Sequence, residues 1–491
     1  MQLPITVDSG RVLTLQMQIV EQMRALIEDG RLQPEAAVPA TRELGMQLGV
    51  SRNTISSAYD TLISEGYLYT ERSVGTFVCR TLPEVLMRAH ASSLDARHGS
   101  LYRAINLPLP YTGRGLPGLH RPTLPGIAVD FVFGRSDPQS FPDKAWRRIL
   151  IDCLGGAAER MSEYNEPAGI AGLRQLVTSY LGPARGMVVS MEQVLLVAGL
   201  QQGINLAAHL FVGTDTPVVM EAPGYRGAAF LFESYGGRIV PVPVDQHGID
   251  VSRLPDIRAR LVYVTPSHQF PTGVTMPLHR RLALLQWAAQ AGAYVLEVDL
   301  DADFRYEGSP LPSLQSLDRN GCVVYLNSFT RSLGPGLRIG YMVVPRGLIR
   351  PATTIKALMD NGLPWLEQAA LAQFMRDGSW DNHVKRLRHS NQTRRDAILE
   401  AMREHMPDAS ISGSEGGTHL FVTLPSGASS AATVQRACRA RRVGVYPLAD
   451  SPAWLYDHLP DSERILLMGY AHLSEAQIRL GIATLGSVLE A

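Results

Sequence analysis

Two groups of residues in this chain have the types and spacing to do chemistry. The first lies in VPATRELGMQLGVSRNTISSAYDTLISEGYLYTERSVGTFV, where Arg42, Arg52 and Arg72 are set among short polar side chains, most densely in SRNT at 51–54. Guanidinium groups grip phosphates and base edges, and small hydroxyls and amides hydrogen-bond to both, so this is the chemistry of holding a nucleic acid. The second group follows short apolar runs in EVDLDADFRY (297–306) and NSFTRSLGPGLRIGY (327–341), which gather carboxylates, hydroxyls, Arg331 and Arg338. A guanidinium stays protonated at physiological pH. Arg331 can therefore pair with an anion, but it cannot act as a free amine nucleophile.

Different elements must position the two groups. Over residues 13–30, LTLQMQIVEQMRALIEDG reads as a helix with Ile19, Met23 and Leu26 on one face and Gly30 closing it. A second helix buries Leu44 and Leu48. Gly49-Val50 makes a tight turn, and Ser51 caps a third helix that buries Ile55, Tyr59, Leu62 and Ile63. YLYTERSVGTFV then reads as two short strands with Arg72 at their tip. Helix, turn, helix and hairpin place Arg52 at the start of a recognition helix. From about residue 128, the runs VLLVAG, PVVMEAP, RIVPVPV, LVYVTP, YVLEVDL and CVVYLNS alternate with amphipathic stretches. That alternation predicts a mainly parallel sheet with helices on both faces, and ligands in such folds bind beyond the carboxyl ends of the strands. The predicted domains are 11–79, a linker at 80–127 rich in Pro, Gly, Arg and His, and 128–491.

Bulk properties narrow the function classes. At 491 residues, 45% hydrophobic, 19% charged and net charge zero, the composition is that of a soluble multidomain protein. Four scattered cysteines show neither a disulfide framework nor metal-ligand spacing, so no metal site is expected. No secretory leader or apolar run of membrane-spanning length is visible, and the expected compartment is the cytoplasm. Residues 1–78 hold six Arg, no Lys and nine acids, so any nucleic-acid face must be a local arrangement of charge. Lysine occurs three times in all, as Lys144, Lys356 and Lys385.

The string from RLQPEAAVPATREL through LGVSRNTISSAYDTLISEGYL to GTFV closely resembles the GntR-type winged helix-turn-helix. The resemblance implies binding to a double-stranded DNA operator, with Arg42, Ser51, Arg52, Thr54 and Gly75 at positions that usually touch DNA and Arg72 on the wing. Further along, YNEPAG, VAGLQQGINL, EAPGYRGA, TPSHQFPTG, EVDLDADFRY and YLNSFTRSLGPGLRIGYMVVP occur in an order similar to that of fold-type I aminotransferases. Behind a GntR module, that order resembles the MocR/GabR regulators. The implied fold class is multidomain: a winged-helix N-terminal domain plus an α/β domain of the pyridoxal-phosphate-dependent transferase type.

The resemblance also implies that the cofactor chemistry has been lost. Fold-type I enzymes hold pyridoxal phosphate (PLP) through a lysine imine, an aspartate on the ring nitrogen, a tyrosine on the 3'-oxygen and a phosphate cup. Aligned to that pattern, Arg331 stands at the lysine, Val298 at the aspartate and Leu300 at the tyrosine. Tyr225 keeps the ring-stacking position, Gln269 an amide near the 3'-oxygen, and Ser328 and Arg338 the phosphate cup, while Leu200 stands where relatives carry a hydroxyl. The reading is a non-enzymatic, homodimeric DNA-binding regulator with no catalytic residue and no covalent cofactor. A small anionic or aromatic effector is expected in the remnant pocket, with PLP only as a weak noncovalent ligand. The alternatives are a PLP-responsive regulator binding the cofactor noncovalently, or an aminotransferase-like scaffold used only to dimerise. Arg331 needs a counter-charge from Asp299, Asp301 or Asp303 or from a bound anion, and an internal pair closing the pocket would favour the scaffold.

Overall fold

Among the described residues, three helices and a hairpin form the N-terminal unit around one apolar core. The computed structural model describes residues 2–8, 10, 13–71, 74–80, 126–254, 259–308, 311–455, 459 and 461–490. The chain divides into two units, Met1–Leu109 and Pro110–Ala491. Helix α1 (Leu15–Glu28) is capped by the Thr14 side chain on Met17 N and buries Ile19, Val20, Met23, Leu26 and Ile27. Helix α2 (Thr41–Leu48) stops at Gly49, whose left-handed conformation turns the chain into α3 (Arg52–Ser64). The Ser51 hydroxyl accepts from Thr54 N at 3.1 Å, satisfying one free donor of the α3 N-terminus. On the other face, Ile55, Ala58, Tyr59 and Leu62 meet α1, and the buried Tyr59 hydroxyl donates to Pro39 O at 2.7 Å. Strands β1 (Leu68–Glu71) and β2 (Gly75–Val78) pair antiparallel as the wing. Arg72, expected at the wing tip, lies outside the described residues, as does almost all of the expected linker at 80–127.

In the second unit an eight-stranded mixed sheet carries the candidate site. Strands Val323–Ser328, Tyr294–Val298, Leu261–Val264, Pro217–Ala222 and Arg238–Asp245 are parallel neighbours in that spatial order. Gly340–Val343 and Val194–Val197 extend one side antiparallel, and Gly248–Ile249 ends the other. The sheet is buried on both faces, which explains the nearly continuous apolar runs in its strands. A smaller antiparallel sheet of Ser410–Ser412, His419–Thr423 and Ile465–Gly469 packs with helices Ser379–His405 and Glu475–Leu489 in a separate core.

Buried charge is paired across the first sheet. Arg185 forms an ion pair with Asp299, both fully enclosed, and Tyr325 Oη donates to Asp299 Oδ2 at 2.9 Å. Burial alone would lower the affinity of Arg185 for its proton, but the nearby carboxylate of Asp299 reverses the shift and raises it. Glu297, two residues earlier on strand Tyr294–Val298, accepts from Leu314 N and Gln315 N at 2.8 and 2.9 Å.

Candidate functional site

In the N-terminal unit Arg42, Ser51, Arg52 and Thr54 lie on the two helices joined at Gly49, while Gly75 begins strand β2 of the hairpin. Arg42 and Arg52 are exposed, on α2 and at the first turn of α3, and among the described residues neither forms an ion pair. Arg52 Nε lies 3.4 Å from Thr41 Oγ1, and the Ser51 and Thr54 hydroxyls are 2.9 Å apart. By contrast, Arg24 is tied to Glu65 at 2.7 Å through its side chain. Positive charge near the turn is thus uncompensated although the domain as a whole is acidic, an arrangement that attracts phosphate locally.

In the second unit a cavity of about 230 Å³ opens beyond the carboxyl ends of the parallel strands. Val298, Asp299, Leu300 and Asp301 reach it where strand Tyr294–Val298 ends, and Thr265 and His268 where Leu261–Val264 ends. The short helix Thr330–Leu333 supplies Thr330 and Arg331, and Phe133, Tyr225, Phe270 and His419 close the sides. Three of the candidate acids prove to have separate tasks. Asp301 pairs with Arg331, with Oδ1 3.4 Å from Nε; Asp299 pairs with Arg185; Asp303 accepts from the Tyr180 hydroxyl. Burial would raise the Asp301 carboxyl, but the Arg331 guanidinium beside it outweighs burial and holds the group well below the usual carboxylate range. The Arg331 guanidinium also lies 4.7 Å over the Phe133 ring, a cation–π contact.

Arg331 is thus internally neutralised, yet the cavity stays open. The sequence left open whether an internal Arg–Asp pair would close the pocket; here the pair forms and the cavity remains. Arg338 retains its charge at the cavity wall: Nη2 donates to Ala198 O at 3.0 Å, and no carboxylate among the described residues pairs with it. Its guanidinium lies against Gly199 at the N-terminus of helix Leu200–Phe211, where a Cβ would be 2.8 Å from Nη2. Glycine at φ 75° is therefore required both for the backbone turn and for that approach. An exposed guanidinium beside a helix N-terminus is an anion seat.

Two expected pocket residues do not line the cavity. Gln269 is buried, donating to Pro223 O at 2.8 Å and Phe270 O at 2.7 Å and accepting from Thr272 Oγ1 at 2.6 Å. Its neighbour His268 reaches the cavity instead. The Ser328 hydroxyl is held 2.6 Å from Thr330 Oγ1 and 3.2 Å from Ile339 O, so it supports Thr330, which does face the cavity. Tyr225 lines it as expected: its hydroxyl donates to Gln201 Oε1 at 3.3 Å, and burial, offset by Arg338, raises its pKa. Among the described residues no lysine reaches the cavity; Lys356 is buried against Asp360, with both contacts at 2.7–2.8 Å. The residues present do not fit a lysine-held PLP: a guanidinium already paired with Asp301, an aliphatic Val298 and an aliphatic Leu300 offer no imine, no ring-nitrogen acid and no 3'-oxygen donor. His419 was missed by the sequence reading, since nothing local in GGTHLF marks it.

A winged helix with unpaired arginines, and a fold-type I sheet with its cavity at the strand ends, define a DNA-binding regulator built on an aminotransferase scaffold. Comparison with known proteins agrees. Residues 15–78 match the gntR family of bacterial regulatory proteins, and residues 131–484 match aminotransferase class I and II. The uncharacterized HTH-type transcriptional regulator YdeL of Bacillus subtilis is 31% identical over 476 residues, covering 96% of this chain and 96% of its own. The probable rhizopine catabolism regulatory protein MocR of Rhizobium meliloti is 31% identical, covering 98% of this chain and 95% of its own. Among solved structures, the kynurenine aminotransferase of Pyrococcus horikoshii superposes with a TM-score of 0.67 at 28% identity, over 74% of this chain and 91% of its own. The chain belongs to the MocR-type transcriptional regulators of the GntR family.

Proposed function

We propose that this regulator reads a noncovalent anionic effector in its aminotransferase-like domain and carries out no lysine–PLP chemistry. The observation that carries the reading is the state of the two arginines: Arg331 is paired with Asp301, while Arg338 stands uncompensated beside the N-terminus of helix Leu200–Phe211 at an open cavity. An anion seated against Arg338 would be flanked by the apolar wall of Tyr225 and Phe270, which suits a planar or aromatic ligand. Residues 11–79 act as the DNA-reading module, 80–127 as a linker and 128–491 as the effector and dimerisation domain. A homodimer would present two winged helices to two half-sites.

The test is a thermal-shift screen of full-length protein with anionic metabolites, including PLP and inorganic phosphate. A ligand at a hundredfold its Kd stabilises the native state by about 2.7 kcal/mol, so a raised melting temperature is expected in the wild type and a much reduced shift in Arg338→Ala. If no anion shifts the wild type, or if hits stabilise Arg338→Ala equally, the domain is a scaffold.

On DNA, Arg42, Ser51, Arg52, Thr54, Arg72 and Gly75 form the proposed contact set. Arg52→Ala is expected to cost about 1–3 kcal/mol in operator affinity, roughly a fivefold to 150-fold rise in Kd by fluorescence anisotropy at fixed salt. Unchanged affinity would place the reading surface elsewhere.

A further inference from the structure

We propose that His268, Asp301 and His419 form a site for one divalent transition-metal ion on the cavity wall. Each offers one ligand atom, all three atoms lie within 4.8 Å of one another, and all three residues are buried. The hydrogen bonds around them determine which atoms these are. His268 Nε2 faces Gly413 O at 3.3 Å, and His419 Nε2 faces Pro271 O at 3.1 Å. A carbonyl only accepts, so each Nε2 must carry its hydrogen, and a neutral imidazole then holds its lone pair on Nδ1.

His268 Nδ1 lies 3.3 Å from Asp301 Oδ2, which sets two acceptors face to face, while His419 Nδ1 is buried with no hydrogen-bond partner among the described residues. Burying such a set is costly unless a cation sits among the lone pairs. A proton shared by His268 and Asp301 would settle one contact but leave His419 unsatisfied, whereas a metal ion satisfies all three. Metal-ligating histidines characteristically donate their other N–H to a backbone carbonyl, and both do so here.

The spacing is close to that of a loaded site. With metal–nitrogen bonds of about 2.1 Å, tetrahedral ligands stand about 3.4 Å apart. The His268–Asp301 separation already matches, so occupancy requires only a small inward movement of the third ligand. The His268 ring is held for this task by Gly417, where a Cβ would fall 2.3 Å from the imidazole. Two imidazoles and a carboxylate favour Zn²⁺, Fe²⁺, Co²⁺ or Ni²⁺ over Mg²⁺ or Ca²⁺, which prefer oxygen ligands throughout. Three protein ligands leave the remaining coordination positions facing the cavity. Arg331 holds the other oxygen of Asp301, so its charge opposes the metal and sets the affinity lower than the ligands alone would give. The site does not depend on the effector proposed above.

The test uses metal-stripped full-length protein titrated with Co²⁺, followed by visible d–d absorption, and with Zn²⁺, followed by calorimetry. One equivalent per chain is expected. Asp301→Asn and His419→Ala should each bind at least about tenfold more weakly, and Arg331→Gln more tightly. His472→Ala, which alters a histidine hydrogen-bonded to Asp130 O outside this cluster, should bind as wild type does. Circular dichroism verifies the fold of each variant, and Asp301→Asn, the near-isosteric change, decides the matter if His419→Ala is unfolded. Absence of Co²⁺ binding by the wild type, or binding unaltered in Asp301→Asn, overturns the proposal.

Discussion

Asp299→Ala is expected to destabilise the aminotransferase-like unit by about 3–5 kcal/mol. The carboxylate is fully enclosed, and so is its partner Arg185, whose Nη2 also donates to Ser267 Oγ at 2.9 Å. Removing the acid strands a guanidinium away from water, and it also strips the Tyr325 hydroxyl of its acceptor. A buried ion pair contributes little net stability when intact, but breaking it on one side is severe because the remaining charge cannot be solvated. Asp299→Asn keeps an acceptor for Tyr325 and should cost less, and the double replacement Asp299→Leu with Arg185→Met should recover most of the loss. All five tryptophans lie beyond residue 140, so tryptophan fluorescence during urea unfolding reports this unit alone. The midpoint should fall with little change in slope. A wild-type midpoint in Asp299→Ala would mean that Arg185 draws its compensation from elsewhere.

Purified protein is expected to be colourless, to show no aldimine band once excess PLP has been added and removed by desalting, and to yield no borohydride-trapped adduct on residue 331. The expected effect is all or none, because the imine requires a free amine and the cavity presents none among the described residues. Arg331→Lys alone should restore little tight binding. Val298 is buried in the apolar core of the sheet and cannot hold a proton on a ring nitrogen, and Leu300 beside it has no hydroxyl to donate. The new lysine would also inherit Asp301, a carboxylate that favours the charged ammonium over the nucleophilic amine. A yellow wild-type protein with a reducible lysine adduct would overturn this account of the pocket.

Local sequence determined much of this protein. The Ser51 cap, the left-handed stop at Gly49 and the apolar spacing of α1 and α3 are interactions over a few residues, and each is visible as a short string. The β-branched runs likewise announced strands, because a strand buried on both faces must be apolar along its length. A guanidinium at 331 cannot form an imine there, and that followed from the residue type without coordinates.

Tertiary structure decided which groups meet. Asp299, Asp301 and Asp303 alternate in sequence and look equivalent as counter-charges for Arg331. The chain leaves its strand at Val298, and that exit sends Asp299 to Arg185, Asp301 to Arg331 and Asp303 to Tyr180. Whether His268 or Gln269 reaches the cavity depends on how the 265–273 loop spends the Gln269 amide on its own backbone. The convergence of His268, Asp301 and His419 has no sequence signature, because one residue comes from the smaller sheet and two from loops beyond the larger one. Such long-range placement follows from the packing of whole sheets against each other, which no short window of sequence contains.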